Sequence, residues 1–182
     1  EKDENYSLQK REIIQIMGEC FPVTMVQHPD YECDDVVAHL ASEVHKDDSV
    51  VVVSTDTDFY QLFSLDNVEI YNPIKKSYIE RIDFDYVTWK ALRGDSADNI
   101  EGFKGVGDKT ALKLTNNPIL LKEFLDKQPG RENKFTHNQF MIRFHKLENL
   151  NLLNFSESSF LEEDVLEKFT EFEFNSLVKE KP

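Results

Sequence analysis

Residues 49–63 read SVVVVSTDTDFYQLF. Four consecutive valines form a β-branched run without alternation, the pattern of a strand buried on both faces of an α/β sheet. Asp56-Thr57-Asp58 closes the run and FYQLF opens a helix. A DxD pair just past the carboxyl end of a strand stands where open α/β sheets place their ligands.

Working outward, Ile13, Ile14, Ile16 and Met17 predict an amphipathic helix over 6–19, and residues 23–26 a short strand. Asp30 is a cap candidate for a helix carrying Val36, Val37, Leu40, Ala41 and Val44 at helical spacing. Two further strand-like pieces, 68–71 and 77–81, flank Asn72-Pro73. From about residue 84 the pattern is helical only, with helices expected at 84–92, 109–114, 118–126 and 138–150. QPGRENK (128–134) reads as a loop, and the acidic tail at 157–173 as a solvated pair of short helices. Strands alternating with helices, then helices alone, predict an α/β layer with a mostly parallel sheet over residues 1–82, followed by a helical subdomain over 83–182.

The chain has 182 residues, enough to bury a substantial core, and a net charge of −14. That balance argues against a generic basic nucleic-acid binder. No apolar run approaches the eighteen or so residues that span a bilayer. Cys20 and Cys33 stand alone with no CxxC spacing, which argues against a disulfide scaffold and a structural zinc site and suggests a reducing cytoplasm. The five histidines show no pairing at metal-ligand spacing. The chain begins EKDENY without an initiator methionine, so either the protein was processed or trimmed or this is the C-terminal portion of something longer.

Three acidic clusters stand out: Glu32, Asp34 and Asp35; Asp56 and Asp58; Asp95 and Asp98. Singly, each reads as helix capping. Together they pose an electrostatic problem, because carboxylates ~4 Å apart repel by about 4 kcal/mol per pair at an effective dielectric near 20. Hard divalent ions resolve it, since Mg²⁺ and Mn²⁺ favour oxygen ligands, and two such ions can serve phosphodiester hydrolysis. The seven acids carry half of the net charge.

Residues 102–107, GFKGVG, lie between two short helices. Glycines let backbone approach a ligand closely, and amides opening the next helix can bind phosphate, with Lys104, Lys109 and Lys113 nearby.

In the order YECDDVVAHLA, VVVSTDTDFYQLF, LRGDSADNIEGFKGVGDKTALKL, the chain resembles the 5′-nuclease family. That family includes the flap endonucleases, the 5′-nuclease domain of bacterial DNA polymerase I, and phage 5′-exonucleases and ribonuclease H enzymes. Its patterns ExDD, DxD, GDxxDN and GxxGxG occur here in the right order over roughly residues 20 to 115. The resemblance implies a PIN-like α/β fold with a helix–two-turn–helix subdomain. It implies a two-metal 5′-3′ exonuclease or flap endonuclease acting in DNA replication or repair, in the cytoplasm of a bacterium or phage-infected host.

By the same resemblance, Glu32, Asp34, Asp35, Asp56, Asp58, Asp95 and Asp98 are metal ligands, with Asp34, Asp56 and Asp58 closest to catalysis. Gly102, Lys104, Gly105, Gly107, Lys109, Thr110 and Lys113 contact DNA, and K⁺ is a further ligand of the turn. Branched or nicked duplex DNA is the implied partner, with RNA/DNA hybrid and replication proteins as further candidates and a monomer as the expected state. Family members also begin with strands bearing ligand aspartates and an arch with a lysine and an arginine, which this chain does not show. On that reading its own metal site is incomplete, and Cys33 stands at a position that is usually small and apolar in the family, which implies a buried thiol. The alternative is a non-catalytic, structure-specific DNA-binding module.

Overall fold

In a computed structural model of the protein, residues 4–157, 162–174 and 178 are described. They fall into two compact units, one joining residues 1–31 to 148–182 and the other running from Glu32 to Leu147. The chain opens in the first unit with α1 (Glu4–Cys20) and β1 (Thr24–Gln27).

The second unit begins with α2 (Cys33–His39), which a wider π-helical turn extends over Leu40–Val44. Its N-cap is Glu32 rather than Asp30. Asp30 instead gives its backbone N–H to Nδ1 of the buried His28. Next come β2 (Val50–Val53), a 3₁₀ helix (Thr57–Ser64), β3 (Val68–Asn72) and β4 (Ser77–Tyr78). β2 pairs in parallel with β3, and β3 antiparallel with β4. The expected mostly parallel layer therefore has one pairing of each kind among the described residues, because Asn72 turns the chain tightly back. Its side-chain oxygen accepts from the amides of Ile74 and Lys75.

The valine run is not buried on both faces. Val52 is buried, whereas Val51 and Val53 are 43% and 62% exposed. β2 is one of the two edge strands of this sheet, and among the described residues only one of its faces packs on the core of Ala41, Phe59, Leu62, Phe63, Val68 and Ile70. FYQLF winds as 3₁₀ rather than α. Asp56 caps it by accepting from the Asp58 amide at 2.9 Å. Arg81 closes the far end, donating to the carbonyls of Phe63, Leu65 and Val68.

Four helices complete this unit: α3 (Tyr86–Arg93), α4 (Asp108–Thr115), α5 (Pro118–Asp126) and α6 (Arg131–Ile142). The Asp85 carboxylate accepts from the Thr88 amide and caps α3; Gly94, at φ 85°, ends it. Asn117 caps α5, with Pro118 in its first turn. The helices enclose a second core of Ala91, Leu92, Phe103, Val106, Ala111, Leu114, Phe135 and Ile142.

α6 occupies part of the expected loop and ends eight residues early. Gly130, at φ 85°, starts it, and Phe135, Asn138 and Ile142 form its buried side. It stops at Arg143 because the next amides leave the helix. Phe144 N–H reaches the Gln61 side chain at 3.4 Å, and His145 N–H the Asp35 carboxylate at 2.6 Å.

The chain then returns to the first unit through β5 (Asn154–Glu157), which pairs antiparallel with β1. This strand lies in the stretch expected to be wholly helical; its backbone groups pair with β1 instead of with one another. α7 (Glu162–Glu171) follows, and Phe21 and Phe169 pack at a 6.1 Å centroid distance. Residues 158–161 of the expected acidic helix pair lie outside the described residues. No helix among the described residues is long and apolar enough to cross a membrane.

Candidate metal centre and nucleic-acid interface

The parallel pairing of β2 with β3 sets the carboxyl end of β2 against Tyr71, whose carbonyl accepts from the Ser54 amide at 3.1 Å. The chain leaves this sheet edge directly into Asp56 and Asp58. α3 stands beside it, tied by the hydrogen bond from the Tyr86 hydroxyl to Thr57 Oγ1 at 3.0 Å. Past Gly94, residues 95–100 form a closed loop. The amide and carbonyl of Asp95 pair with those of Ile100, and Asn99 takes the left-handed conformation that closes it. The Asp95 carboxylate accepts from the Ala97 amide at 2.8 Å and faces α3.

All seven acids singled out from the sequence line one cavity of about 540 Å³. Within it, Asp58, Asp95 and Asp98 offer oxygens that lie within 4.8 Å of one another. An all-oxygen donor set of this size suits a hard divalent cation. Glu32, Asp34, Asp35 and Asp56 line the same cavity outside that tight group. Two of them hold structural bonds as well. Asp35 is 7% exposed and accepts from His145, while Asp56 caps the 3₁₀ helix. Capping and pocket lining thus coincide in one side chain.

Lys90, which the sequence reading passed over, is the cation of the cluster. It sits on α3, is 3% exposed, and its Nζ contacts Asp58, Asp95 at 2.5 Å and Asp98 at 3.5 Å. Burial by itself pushes the Lys90 ammonium toward release of its proton. The bonds to Asp58 and Asp95 outweigh that and hold it charged well above the ordinary lysine range. Burial raises the Asp58 carboxyl, against the pull of Lys90. The Lys90 hydrogen bond holds Asp95 below the usual carboxylate range. The signal that was available is spacing: a lysine four residues before Gly94, one turn from GDxxDN.

The glycines of the next turn divide into two kinds. A Cβ on Gly102 would meet the Arg93 carbonyl oxygen at 1.9 Å, and one on Gly94 would meet the Gly102 amide nitrogen at 2.3 Å. These two are glycine because backbone packs on backbone. Gly105, at φ 80°, and Gly107 face open space. Lys104, Lys109, Thr110 and Lys113 are exposed around them, and α4 starts on Gly107 without a side-chain cap. Phe103 and Val106 are buried and anchor the turn from beneath.

Other residues resolve more simply. Cys33 is exposed, not buried, because it is the first residue of α2 and its neighbours Val36 and Asp35 take the inward positions. His28 is a core histidine, accepting from Asp30 and donating to the Asn149 carbonyl at 3.3 Å. Trp89 packs in the helical core and under the Arg93 guanidinium. Phe59 is buried against Phe144.

The family profile described as 5′-3′ exonuclease, N-terminal resolvase-like domain, matches residues 3–91. The thermostable DNA polymerase I of Thermus thermophilus is 37% identical over 114 residues, covering 57% of this chain and 13% of that protein. A 5′-3′ exonuclease of Aquifex aeolicus is 37% identical over 117 residues, covering 57% of this chain and 38% of its own length. The chain thus spans well under half of these relatives. Among solved structures, the bacteriophage T5 D15 flap endonuclease, in a pseudo-enzyme-product complex with DNA and metal ions, superposes with a TM-score of 0.52 at 20% identity. That match covers 62% of this chain and 49% of that one, and shows a shared fold. Over the matched residues, the chain is similar to the 5′-nuclease family.

Proposed function

We propose that this protein is a metal-dependent 5′-nuclease that hydrolyses phosphodiesters near the 5′ end of flap, forked or RNA-primed duplex DNA. The observation that carries the reading is the convergence of seven carboxylates, drawn from three separated segments, on one cavity. Repulsion among them at close range has no structural purpose that capping alone would explain.

Asp58, Asp95 and Asp98 would hold one Mg²⁺ or Mn²⁺, and Glu32, Asp34, Asp35 and Asp56 the other. Two such ions, when bound, activate water and stabilise the leaving oxygen of a phosphodiester. The chain's own residues supply the rest. Asp34, Asp56 and Asp58 surround the reacting phosphate, and Lys90 offsets charge on Asp58, Asp95 and Asp98 beside the ion they would hold. Gly102, Gly105 and Gly107, with Lys104, Lys109, Thr110 and Lys113, hold phosphates of uncleaved duplex, with K⁺ as a candidate ligand of the turn. Backbone contacts of this kind read shape rather than sequence.

A second reading has one observation in its favour: the Lys90 ammonium already fills the tight carboxylate group. A structure-specific DNA-binding module that does not cut would use it so. Incubation with a 5′-flap duplex and Mg²⁺ separates the two. The nuclease reading expects Mg²⁺-dependent cleavage that Asp58→Asn or Asp34→Asn abolishes while duplex binding survives. Binding without cleavage at any Mg²⁺ concentration would support the module instead.

A further inference from the structure

Three permanently charged side chains line the carboxylate cavity: Lys90, Arg93 and Arg143. Their partners differ. Lys90 is engaged by Asp58, Asp95 and Asp98. Arg93 donates from Nε to Asp108 at 2.5 Å and stacks over Trp89 at 5.1 Å. Arg143 has no carboxylate within 4.0 Å among the described residues, although seven acids line the same cavity, and it is exposed.

Its backbone, by contrast, is fixed. Arg143 is the first residue past α6, with φ −69° and ψ 137°, and its amide still bonds the Gln139 carbonyl at 3.0 Å. On one side, the Ile142 carbonyl accepts from Gln61 Nε2 at 3.0 Å. On the other, the amides of Phe144 and His145 donate to Gln61 and to Asp35. Gln61 belongs to the 3₁₀ helix that begins at the DxD pair, and Asp35 to α2. The segment carrying Arg143 is therefore pinned to two of the three elements that supply the acids. A fixed backbone mount places the unpaired guanidinium at the cavity and leaves only side-chain rotamer freedom to be lost when it takes an anion.

We propose that Arg143 is the residue of this cavity that contacts substrate phosphate, binding non-bridging oxygens of the nucleic-acid strand that enters it. Seven carboxylates carry more charge than two divalent ions and Lys90 neutralise, so a polyanion needs a further cation at the cavity. Arg143 is the one left free to serve. Its planar fork matches two phosphate oxygens, which an ammonium in the same place does not. The inference rests on the reading of the cavity as a divalent-metal site that receives DNA.

The test is the binding of a fluorescent, 5′-phosphorylated flap duplex to the 182-residue chain. Affinity is measured across a salt series in EDTA and in Ca²⁺, a hard divalent ion that takes oxygen ligands. Wild-type affinity should rise when Ca²⁺ is added. Arg143→Ala should lose about tenfold of the affinity reached in Ca²⁺, the size of one charge-assisted contact, and little of that in EDTA. The slope of log K against log salt should fall by about one. Arg143→Lys should recover part of the loss, and Arg143→Gln, polar but uncharged, should behave as Ala. A thermal melt matching wild type shows that each variant is folded. An equal Ca²⁺-dependent gain in Arg143→Ala and wild type overturns the inference while sparing the metal-site reading. A wild-type chain that gains no affinity with Ca²⁺ overturns that reading, and the inference with it.

Discussion

The Nζ of Lys90 lies 2.5 Å from Oδ2 of Asp95, across the turn that links α3 to its own following loop. One buried cation thereby holds the end of a helix, the loop beyond it and the DxD residue Asp58 in one cluster. Removing the ammonium would leave three carboxylates facing one another with no counter-charge. Lys90→Met should therefore destabilise the metal-free protein by about 3 kcal/mol, the usual cost of leaving buried charge unpaired. A divalent ion would replace the lost charge. Urea unfolding in EDTA and in Mg²⁺ checks this: the variant should gain more stability from Mg²⁺ than wild type does. Equal gains would mean that Lys90 and the ion do not share the same carboxylates.

The same cluster sets a pH dependence whose two sides differ in sign. Lys90 holds the Asp95 carboxyl below its ordinary value, so folding favours the ionised form. The stability that Asp95 contributes is present above the ordinary carboxylate pKa of about 4, and is lost as the pH falls through the depressed value. Burial raises the Asp58 carboxyl, so folding favours its neutral form. Its contribution is present below about pH 4 and is lost as the pH rises through the raised value. In EDTA, Asp95→Asn should flatten the acid limb of stability against pH, while Asp58→Asn should remove the decline just above it. Chemical denaturation from pH 3 to 7 measures both. Identical profiles for the two variants would contradict the opposite shifts.

What was legible in the sequence tracked what is local. The DxD after β2, the proline that opens α5 and the glycines of GFKGVG are read from neighbours within a turn, and the structure places them in such turns. The acids were legible as three clusters because carboxylates crowd in the sequence itself. What was missed depends on distant partners. Val51 and Val53 look like core, yet a strand residue's exposure is decided by what packs on its face of the sheet. The end of α6 is set by Gln61 and Asp35, more than eighty residues away. Asn138 reads as a polar residue on an amphipathic helix. It is 4% exposed, and its Nδ2 donates to the carbonyls of Ala91 and Glu101, tying α6 to the end of α3 and its loop. Lys90 escaped because Asp58 lies 32 residues away, and its contacts with Asp95 and Asp98 depend on the loop after Gly94 folding back on α3.

The glycines of residues 94–107 give a prediction in which stability and binding separate. Gly102→Ala forces a methyl group against the Arg93 carbonyl, at 1.9 Å, where no side chain can yield. It should cost about 3 kcal/mol or more, in the range reserved for strain at a packed backbone. Gly107→Ala meets nothing and sits at φ −95°, so it should leave stability within about 0.5 kcal/mol of wild type. If DNA phosphates approach the turn, the added methyl at Gly107 should still weaken duplex binding, because it occupies the space the backbone leaves open. Lys104→Ala with Lys109→Ala should lower affinity without a stability change, and reduce the salt slope by about two. Thermal melts and anisotropy titrations on one set of variants decide it. A Gly107→Ala protein that binds as wild type, beside a lysine double variant with an unchanged slope, would place the duplex elsewhere on the surface.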